Sequence, residues 1–530
     1  MEKTKKRVVL LGASGTLGFE TFKLLWQHRD QYEIVLLLLP NKFEKKLFRT
    51  YELKAGIQPI KSSGVVENNG LKIVWGDGAA YKDMRETIQG ADMVLNAMAY
   101  ISPKADYYPE VATAVNVTAV KNILRAIQEQ PHGAATIRYV HIGTVAETGD
   151  RLPGIHIGRV GDPLKPSIFD FYALTKTEGE RLVLESNLQY WVSLRMTFLM
   201  PTNFQKLISL EDPIMFHMPL NTLMEAISDR DAGLGLFNTL TIPQDSDFWR
   251  KVYNMGGGPG MRIDAITFYD RIYGILGLTG IRAISEPGWY AGRNFHLHFF
   301  SDSYKLNEYL HFWRDDFDAF IEKLKDGLSI QFRFVSFLTR NSRIVRTLVE
   351  KITYQRLRSL AENHRNSPLN WILEQSKQRI SAFFNKEATT QTAKGWDKIQ
   401  VVALDHPAIE LDHGYDESKA HLELNDLQQA AAFRGGLCLS DAWDGDLYRL
   451  LTWQCAFGHQ FNAKVYTILK AGHWCPVCVK PPWNYDEVAR KNPFLAQVWY
   501  PNHAIDEENR YQEDGIQDIA GADTAYRDLK

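Results

Sequence analysis

The stretch Gly12-Ala-Ser-Gly15-Thr-Leu-Gly18 follows the apolar run Val8-Val-Leu-Leu11 and leads into an amphipathic segment at 17–28. That placement constrains the chain more than any other feature. A buried strand that turns sharply into a helix brings backbone N–H groups to the helix N-terminus, where an anionic phosphate is stabilised. The spacing is G-x-x-G-x-x-G, and a glycine triplet alone is equally consistent with a tight turn. Its position between a strand and a helix makes a dinucleotide cradle the better reading. Gly12, Ser14, Gly15, Thr16, Leu17 and Gly18 are the candidate cofactor contacts.

The same alternation continues downstream. Short, nearly continuous apolar runs at 34–39, 71–75, 93–98, 139–142 and 190–195 are what strands covered on both faces require. Helical patterns at 84–89, 111–128 and 173–186 separate them. The expected architecture is α/β, a Rossmann-type doubly wound parallel sheet spanning residues 1–200. A smaller substrate lobe, 201–330, is aromatic-rich and interrupted by Gly256-Gly-Gly-Pro-Gly260. Residues 331–400 read as a basic helical linker region that Pro368 divides; from Arg340 to Lys386 there are ten Lys/Arg against three Glu. Residues 387–400 are polar. Residues 401–530 form a small cysteine-bearing module with an acidic tail, the last fifty residues holding ten acids and five bases.

Composition excludes several classes. Apolar residues make up 45% and charged residues 23%, values of a folded globular chain and not of a disordered or fibrous one. A net charge of −2 gives no global basic field of the kind nucleic-acid binding needs. No run of about 18 uncharged apolar residues offers a membrane span. The basic N-terminus precedes an apolar run too short for a secretory signal, because Gly12 interrupts it. All four cysteines lie beyond residue 437. That placement suits a reducing, cytoplasmic setting better than a disulfide scaffold.

Tyr172-Ala-Leu-Thr-Lys176 puts a phenol and an ammonium four residues apart on one helical face. An ammonium beside a phenol would draw its pKa down from about 10 and make it a proton donor or acceptor near neutrality. Thr144, 28 residues earlier at the end of an apolar strand, can hold a substrate oxygen beside it. The order and spacing of these elements resemble the extended branch of the short-chain dehydrogenase/reductase superfamily.

The resemblance covers about residues 7–330. Trp75-Gly76-Asp77-Gly78 resembles the strand end whose acid reaches the adenine. Asn96-Ala97-Met98-Ala99 resembles the next strand, which borders the cofactor with small residues. Asn116-Val-Thr-Ala-Val-Lys-Asn122 resembles the N-V-x-G-T helix, with Ala119 in place of its glycine. Val140-His-Ile-Gly-Thr144 resembles the strand of the catalytic Ser/Thr, and Ser193-Leu-Arg195 the strand that follows. Val252-Tyr-Asn254-Met-Gly-Gly-Gly258 and Asp302-Ser-Tyr-Lys305 are similar to motifs of the substrate lobe.

By position the resemblance implies Tyr172 as general acid/base, Lys176 on the nicotinamide ribose, Thr144 orienting the substrate, and Asn116 as a weaker fourth member. It further implies Asp77, Gly78, Ala97, Met98 and Ala99 around the cofactor, a small-molecule substrate, and homodimerisation through two helices of the cofactor domain unless the appended module intervenes. Val145-Ala146 stand where dehydratases of the branch carry an Asp-Glu pair, so dehydration by that route is disfavoured. Carbonyl reduction is the first expectation and NAD-dependent epimerisation the second. A catalytically silent NADP-sensing regulator is a third, against which the intact Tyr172, Lys176 and Thr144 argue.

The second strand runs into Pro40-Asn41-Lys42, with Lys45 and Lys46 following, and carries no acid for a ribose 2′-hydroxyl. Asn41, Lys42 and the missing acid tilt the expectation to NADP over NAD. The aromatic-rich 285–315 stretch, with Tyr100, Tyr107 and Tyr108, suggests a partly apolar substrate.

Cys455-Ala-Phe-Gly-His459 and Cys475-Pro-Val-Cys478 form two close ligand pairs fifteen residues apart. Such pairs on tight turns suit a structural Zn²⁺ in a zinc-ribbon-like module, with Cys438 as the rival of His459. A protein-docking or self-docking role for this module is favoured over nucleic-acid binding, because the neighbouring tail is acidic. His296-Leu-His298, Asp315-Asp316 and the Asp229/Asp231 pair read as structural, not catalytic or metal-binding.

Overall fold

The computed structural model describes residues 5–151, 155, 157–208, 212–385, 395–407, 409–513 and 519. Most of the polar stretch at 387–400 and most of the acidic tail beyond 513 lie outside the described residues, as do residues 1–4.

Alternation in the first apolar run decides the architecture. In β1 (Lys6–Leu11), Val8 and Leu10 point into one core while Val9 and Leu11 point into another. A strand of period two can satisfy both only if helices cover both faces of its sheet. The other members are β2 (Tyr32–Leu38), β3 (Gly64–Asn68), β4 (Leu71–Trp75), β5 (Met93–Asn96), β6 (Arg138–Thr144), β8 (Trp191–Met196) and β11 (Lys251–Met255). Their order is β11-β8-β6-β5-β1-β2-β4-β3, parallel except for the edge pair β3–β4. This is the doubly wound Rossmann-type sheet. Strand order reverses beside β1, which places a crevice at the carboxyl ends of β1 and β5.

The antiparallel strand β3 was not among the expected elements, since Val65-Val66 is too short an apolar run to signal a strand. The helix expected at 111–128 runs from Pro109 to Gln128 and includes a π-helical turn at Ala114–Thr118. Pro368 divides the basic region as expected: Arg343–Asn363 ends before it, and it opens the next helix, Pro368–Leu373, at a first-turn position where its missing N–H costs nothing.

A second core gathers around a small sheet ordered β12-β10-β9, built from β9 (Phe198–Met200), β10 (Leu223–Ser228) and β12 (Arg262–Asp264). The pair β7 (Ile157–Gly158) and β13 (Phe299–Phe300) lies beside it. The helical segment after residue 330 packs its buried residues Leu357 and Ala361 into this core.

Beyond 400 a three-stranded antiparallel sheet is formed by β14 (Leu437–Cys438), β15 (Leu450–Gln454) and β16 (Gln460–Lys464). Asp315 and Asp316 are structural as expected: Asp316 caps the helix Phe317–Asp326, and Asp315 pairs with Arg230. Asp229 and Asp231 sit in the first turn of the helix Asp229–Asn238. Among the described residues no helix is long and apolar enough to cross a membrane.

Candidate functional site

The glycine loop leaves β1 and enters the helix Thr16–Gln27, whose cap residue Gly15 offers no side-chain acceptor to the first-turn N–H groups. Gly12 is left-handed (φ +78°), and a Cβ there would lie 2.7 Å from the Ala97 carbonyl carbon. A Cβ on Gly18 would lie 2.1 Å from the Gly12 oxygen. The loop is therefore folded tightly against the 97–98 turn at the N-terminus of this helix, where backbone of this kind could hold a pyrophosphate. Asn96 Oδ1 accepts from Met98 N at 3.2 Å and holds that turn. Gly18→Ala is expected to lower nicotinamide-nucleotide affinity at least tenfold, measured by fluorescence titration, because backbone must shift to admit the methyl group.

At the far end of the cradle, Asp77 Oδ1 accepts from Ala79 N at 2.9 Å and the residue is exposed. Gly78 lies under the Met98 side chain, 2.9 Å from where a Cβ would stand.

Of the residues expected to hold a 2′-phosphate, two have partners within the protein. Asn41 caps the helix Lys42–Lys54 by accepting from Glu44 N at 2.9 Å. Lys45 Nζ donates to the carbonyls of Ile60 and Ser62 at 2.8 and 3.1 Å. Lys42 and Lys46 are exposed. The same helix brings an acid to the end of β2. Glu44 Oε2 accepts from Leu39 N at 2.9 Å, and its carboxyl lies near Ser14 of the glycine loop. Burial raises its pKa. Its signal was the N-x-x-E capping pattern at 41–44, legible as a helix start but not as a link to the loop.

Thr144 closes β6, and its Oγ1 accepts from Ala146 N at 3.2 Å. Tyr172 and Lys176 lie on the helix Phe171–Leu184. The Tyr172 phenol lies near the Thr144 side chain. Lys176 Nζ donates to the Ile142 carbonyl at 2.5 Å. Burial raises the Tyr172 pKa, and the neighbouring Thr144 opposes that rise. The sequence expectation had the Lys176 ammonium lowering it, but that ammonium faces the strand instead. Lys176 itself is lowered to about 8, chiefly by burial, with Glu147 and Glu180 opposing.

Asn116 sits in the π-helical turn. Its amide accepts from Tyr100 N (2.9 Å) and donates to Tyr100 O (3.0 Å) and Thr175 Oγ1 (2.9 Å). It ties the loop after β5 to the helix between Tyr172 and Lys176, a positioning role.

The N-terminus of the Tyr172 helix is pinned by two acids. Asp170 accepts from Ala173 N at 2.8 Å and pairs with His296 at 2.8 Å. Asp106 accepts from Phe171 N at 3.0 Å, and burial beside Asp170 pushes its carboxyl well above the usual range. His298 lies 3.3 Å from Thr148 Oγ1. Around these acids runs a cavity lined in part by His217, Asn294, Phe295, Asn366 and Arg379. Its lining mixes these polar groups with Ile168, Phe169, Ile214 and Phe383. Of the aromatic stretch at 285–315, Trp289, Tyr290, Phe299, Phe300 and Phe312 are core residues, whereas Phe295 lines the cavity, and the Tyr107 hydroxyl donates to Asp212 at 2.7 Å.

Beneath the helix lies a buried charged group that sequence reasoning missed. Glu180, one turn past Lys176, is gripped by Arg195 (2.6 Å), Ser193 (2.7 Å) and His473 (2.9 Å). Arg195 and His473 hold the Glu180 carboxylate well below its usual pKa, whereas burial and Glu180 drive Glu147 well above. Glu147 Oε1 accepts from Thr144 N at 3.1 Å. Helical period alone aligns Lys176 with Glu180, but Arg195 and His473 come from distant chain.

His473 belongs to the C-terminal module, which docks along this same helix. Lys464 Nζ donates to the Leu184 and Ser186 carbonyls at 2.9 and 2.6 Å. Arg181 donates to Trp474 O at 2.6 Å, and Arg195 to Ala471 O at 2.8 Å. Two residues past His473 the chain reaches Cys475. The donor atoms of Cys455, His459, Cys475 and Cys478 all lie within 4.8 Å of one another. His459 Nδ1 stands 3.3, 3.6 and 3.5 Å from the three sulfurs, and Cys455 Sγ is 3.8 Å from Cys478 Sγ. A tetrahedron with Zn–S of about 2.3 Å and Zn–N of about 2.0–2.1 Å has S–S edges of about 3.8 Å and S–N edges of about 3.6 Å. Cys438, paired with Trp453 across β14 and β15, is not in this group.

Residues 8–205 match the model of the NAD dependent epimerase/dehydratase family. No curated protein matches the chain in sequence. Among solved structures it is similar to a dTDP-glucose 4,6-dehydratase from Bacillus anthracis in complex with NAD (14% identity, 61% of this chain and 96% of that one, TM-score 0.45). A dTDP-glucose 4,6-dehydratase from Streptomyces venezuelae with NAD bound gives 17% identity, the same two coverages and a TM-score of 0.47. A short-chain dehydrogenase/reductase superfamily protein from Agrobacterium tumefaciens with bound NAD gives 16% identity, 63% and 99% coverage and a TM-score of 0.44.

Proposed function

We propose that the chain is an NAD-dependent oxidoreductase of the extended short-chain dehydrogenase/reductase type, interconverting a carbonyl and an alcohol on a small, partly apolar molecule. The observation that carries this reading is the placement of Tyr172 beside Thr144 at the carboxyl end of β6, with Lys176 one turn further along the helix. Bound NAD would supply the hydride donor or acceptor. Gly12, Ser14, Gly15, Thr16, Leu17 and Gly18 would hold its pyrophosphate, Asp77 and Gly78 its adenine end, and Ala97, Met98 and Ala99 would border it. Lys176 would hold its nicotinamide ribose.

In the reducing direction Tyr172 Oη donates its proton to the substrate oxygen as that oxygen gains charge. Thr144 Oγ1 fixes the oxygen's position. In the oxidising direction Tyr172 Oη takes the proton back. Asn116 and Asp170 keep the helix in register with the strand while this occurs.

Glu44 supports NAD over NADP, since a carboxyl joined to the glycine loop would repel a 2′-phosphate and accept from a 2′-hydroxyl. Wild type is expected to bind NADH at least tenfold more tightly than NADPH, and Glu44→Gln to erode that ratio; tighter NADPH binding by wild type would overturn the assignment. The same feature favours a second reading, an epimerase that retains NAD. Stoichiometric NADH formation or consumption with substrate supports net redox, and isomerised product without it supports the epimerase.

The four-donor cluster supports a structural Zn²⁺ held by Cys455, His459, Cys475 and Cys478. All four positions are filled by protein, so no site is left for substrate. The module's partner is, on this reading, the helix of its own chain that carries Tyr172 and Lys176. Because it occupies one side of that helix, the chain would not dimerise there.

A further inference from the structure

Two consecutive helices on the substrate-lobe side, Ile330–Asn341 and Arg343–Asn363, are joined through the single residue Ser342. Each buries one face. Phe332, Val349, Leu357 and Ala361 pack on the lobe's core, and Thr339 Oγ1 donates to the Leu276 carbonyl at 2.5 Å. The opposite faces are not polar. Ile330, Phe334 and Phe337 on the first helix, and Ile344, Leu348 and Ile352 on the second, are all more than half exposed, with Ile330 at 86% and Ile344 at 83%. Their spacing, i, i+4, i+7 and i, i+4, i+8, makes a stripe on each helix. Six large apolar side chains on two neighbouring helices are not the scattered exposure of an ordinary surface.

The charges around the stripes have one sign. The two helices carry Arg333, Arg340, Arg343, Arg346, Lys351, Arg356 and Arg358 against Glu350 and Glu362. Glu350 is turned away, accepting from Thr279 N at 2.7 Å, and Glu362 is spent on Arg358 at 2.7 Å. Among the described residues no carboxylate lies within ion-pair distance of Arg343, Arg346, Lys351 or Arg356.

We infer that this helical hairpin is an interfacial anchor that lays its apolar stripes into the surface of an anionic phospholipid membrane, with its arginines and lysine at the headgroups. An apolar stripe bordered by cations is the pattern of helices that lie in the plane of such a surface. Charge decides against the alternatives. A second copy of the chain docked stripe to stripe would bring like charges together, and a nucleic acid would gain nothing from exposed Ile, Phe and Leu. The anchor stands apart from the oxidoreductase reading, because none of these residues touches the cradle or the Tyr172 helix. The segment that follows, however, contributes Asn366 and Arg379 to the cavity beside Asp106 and Asp170, so the membrane would lie near the substrate side.

The test is co-sedimentation of the full chain with vesicles of phosphatidylcholine alone or mixed with phosphatidylglycerol. Binding to the mixed vesicles is expected to exceed that to phosphatidylcholine at least tenfold and to weaken in high salt. Ile344→Gln/Leu348→Gln/Ile352→Gln and, separately, Arg343→Gln/Arg346→Gln/Lys351→Gln are each expected to lower it at least tenfold. Gln preserves helix propensity, and unchanged thermal midpoint and NADH binding would show that each variant is folded; if one variant fails that check, the other decides. Absence of binding to the mixed vesicles would overturn the inference. So would a concentration-dependent dimer in sedimentation that the first variant dissociates without any vesicle binding. Retained NADH binding in either case leaves the proposed function untouched.

Discussion

Replacing Tyr172 with Phe is expected to reduce turnover by about 10²–10⁴-fold, the range for removing a general acid/base, with NADH affinity changed less than threefold. On the proposed mechanism the phenol supplies the mobile proton, while the cradle lies on another strand. Phe preserves ring packing and removes only the oxygen that meets Thr144. The measurement is kcat with a responsive substrate, found by screening small polyols, sugars and sugar nucleotides, beside a fluorescence titration of NADH. Wild-type protein that binds NADH but turns over none of them would favour the sensing regulator. A Tyr172→Phe enzyme with wild-type kcat would remove Tyr172 from the mechanism altogether.

The second large effect concerns the metal cluster. Structural zinc contributes on the order of 10 kcal/mol to the folding of small modules. Here the module is braced against the helix of Tyr172 and Lys176 through His473, Trp474 and Lys464. Chelation, or Cys475→Ser, is expected to release zinc and lower the thermal midpoint by 10 °C or more. Hydrogen exchange should also quicken in the helix Phe171–Leu184, outside the module itself. Cys438→Ser is expected to keep the zinc, because that thiol is outside the cluster. A milder change, His473→Ala, removes one partner of a buried carboxylate and should cost about 1–3 kcal/mol. Metal analysis finding no zinc in purified wild type, or a chelated protein with unchanged midpoint, would refute the assignment.

How much of this was legible beforehand differs by element. Strand β1, the glycine loop and its helix were legible because each is a local pattern: an apolar run, glycines at fixed offsets, and a helical period. Tyr172 and Lys176 were legible for the same reason. The surroundings of β2 were less legible. Lysines near its end look like a phosphate site in sequence, yet Lys45 donates to two carbonyls of the 60–62 loop, and a carboxyl comes to the strand end from helical position 44. The aromatic stretch divides between core residues such as Trp289 and Phe312 and the cavity-lining Phe295, because burial in a core and exposure in a pocket demand the same residue types.

The sequence by itself determined what short-range geometry controls. It set the two-sided burial of the first strand, the cradle that only glycine can form at positions 12 and 18, the phenol and ammonium one helical turn apart, and two ligand pairs each closed by a tight turn. Tertiary structure alone decided which partners those groups meet. Arg195 and His473 converge on Glu180 from 15 and 293 residues away. The two Cys/His pairs bring their four donor atoms within 4.8 Å of one another, and the C-terminal module lies on the helix of Tyr172 and Lys176. A buried carboxylate needs a compensating charge, and no local pattern states from which part of the chain it will come.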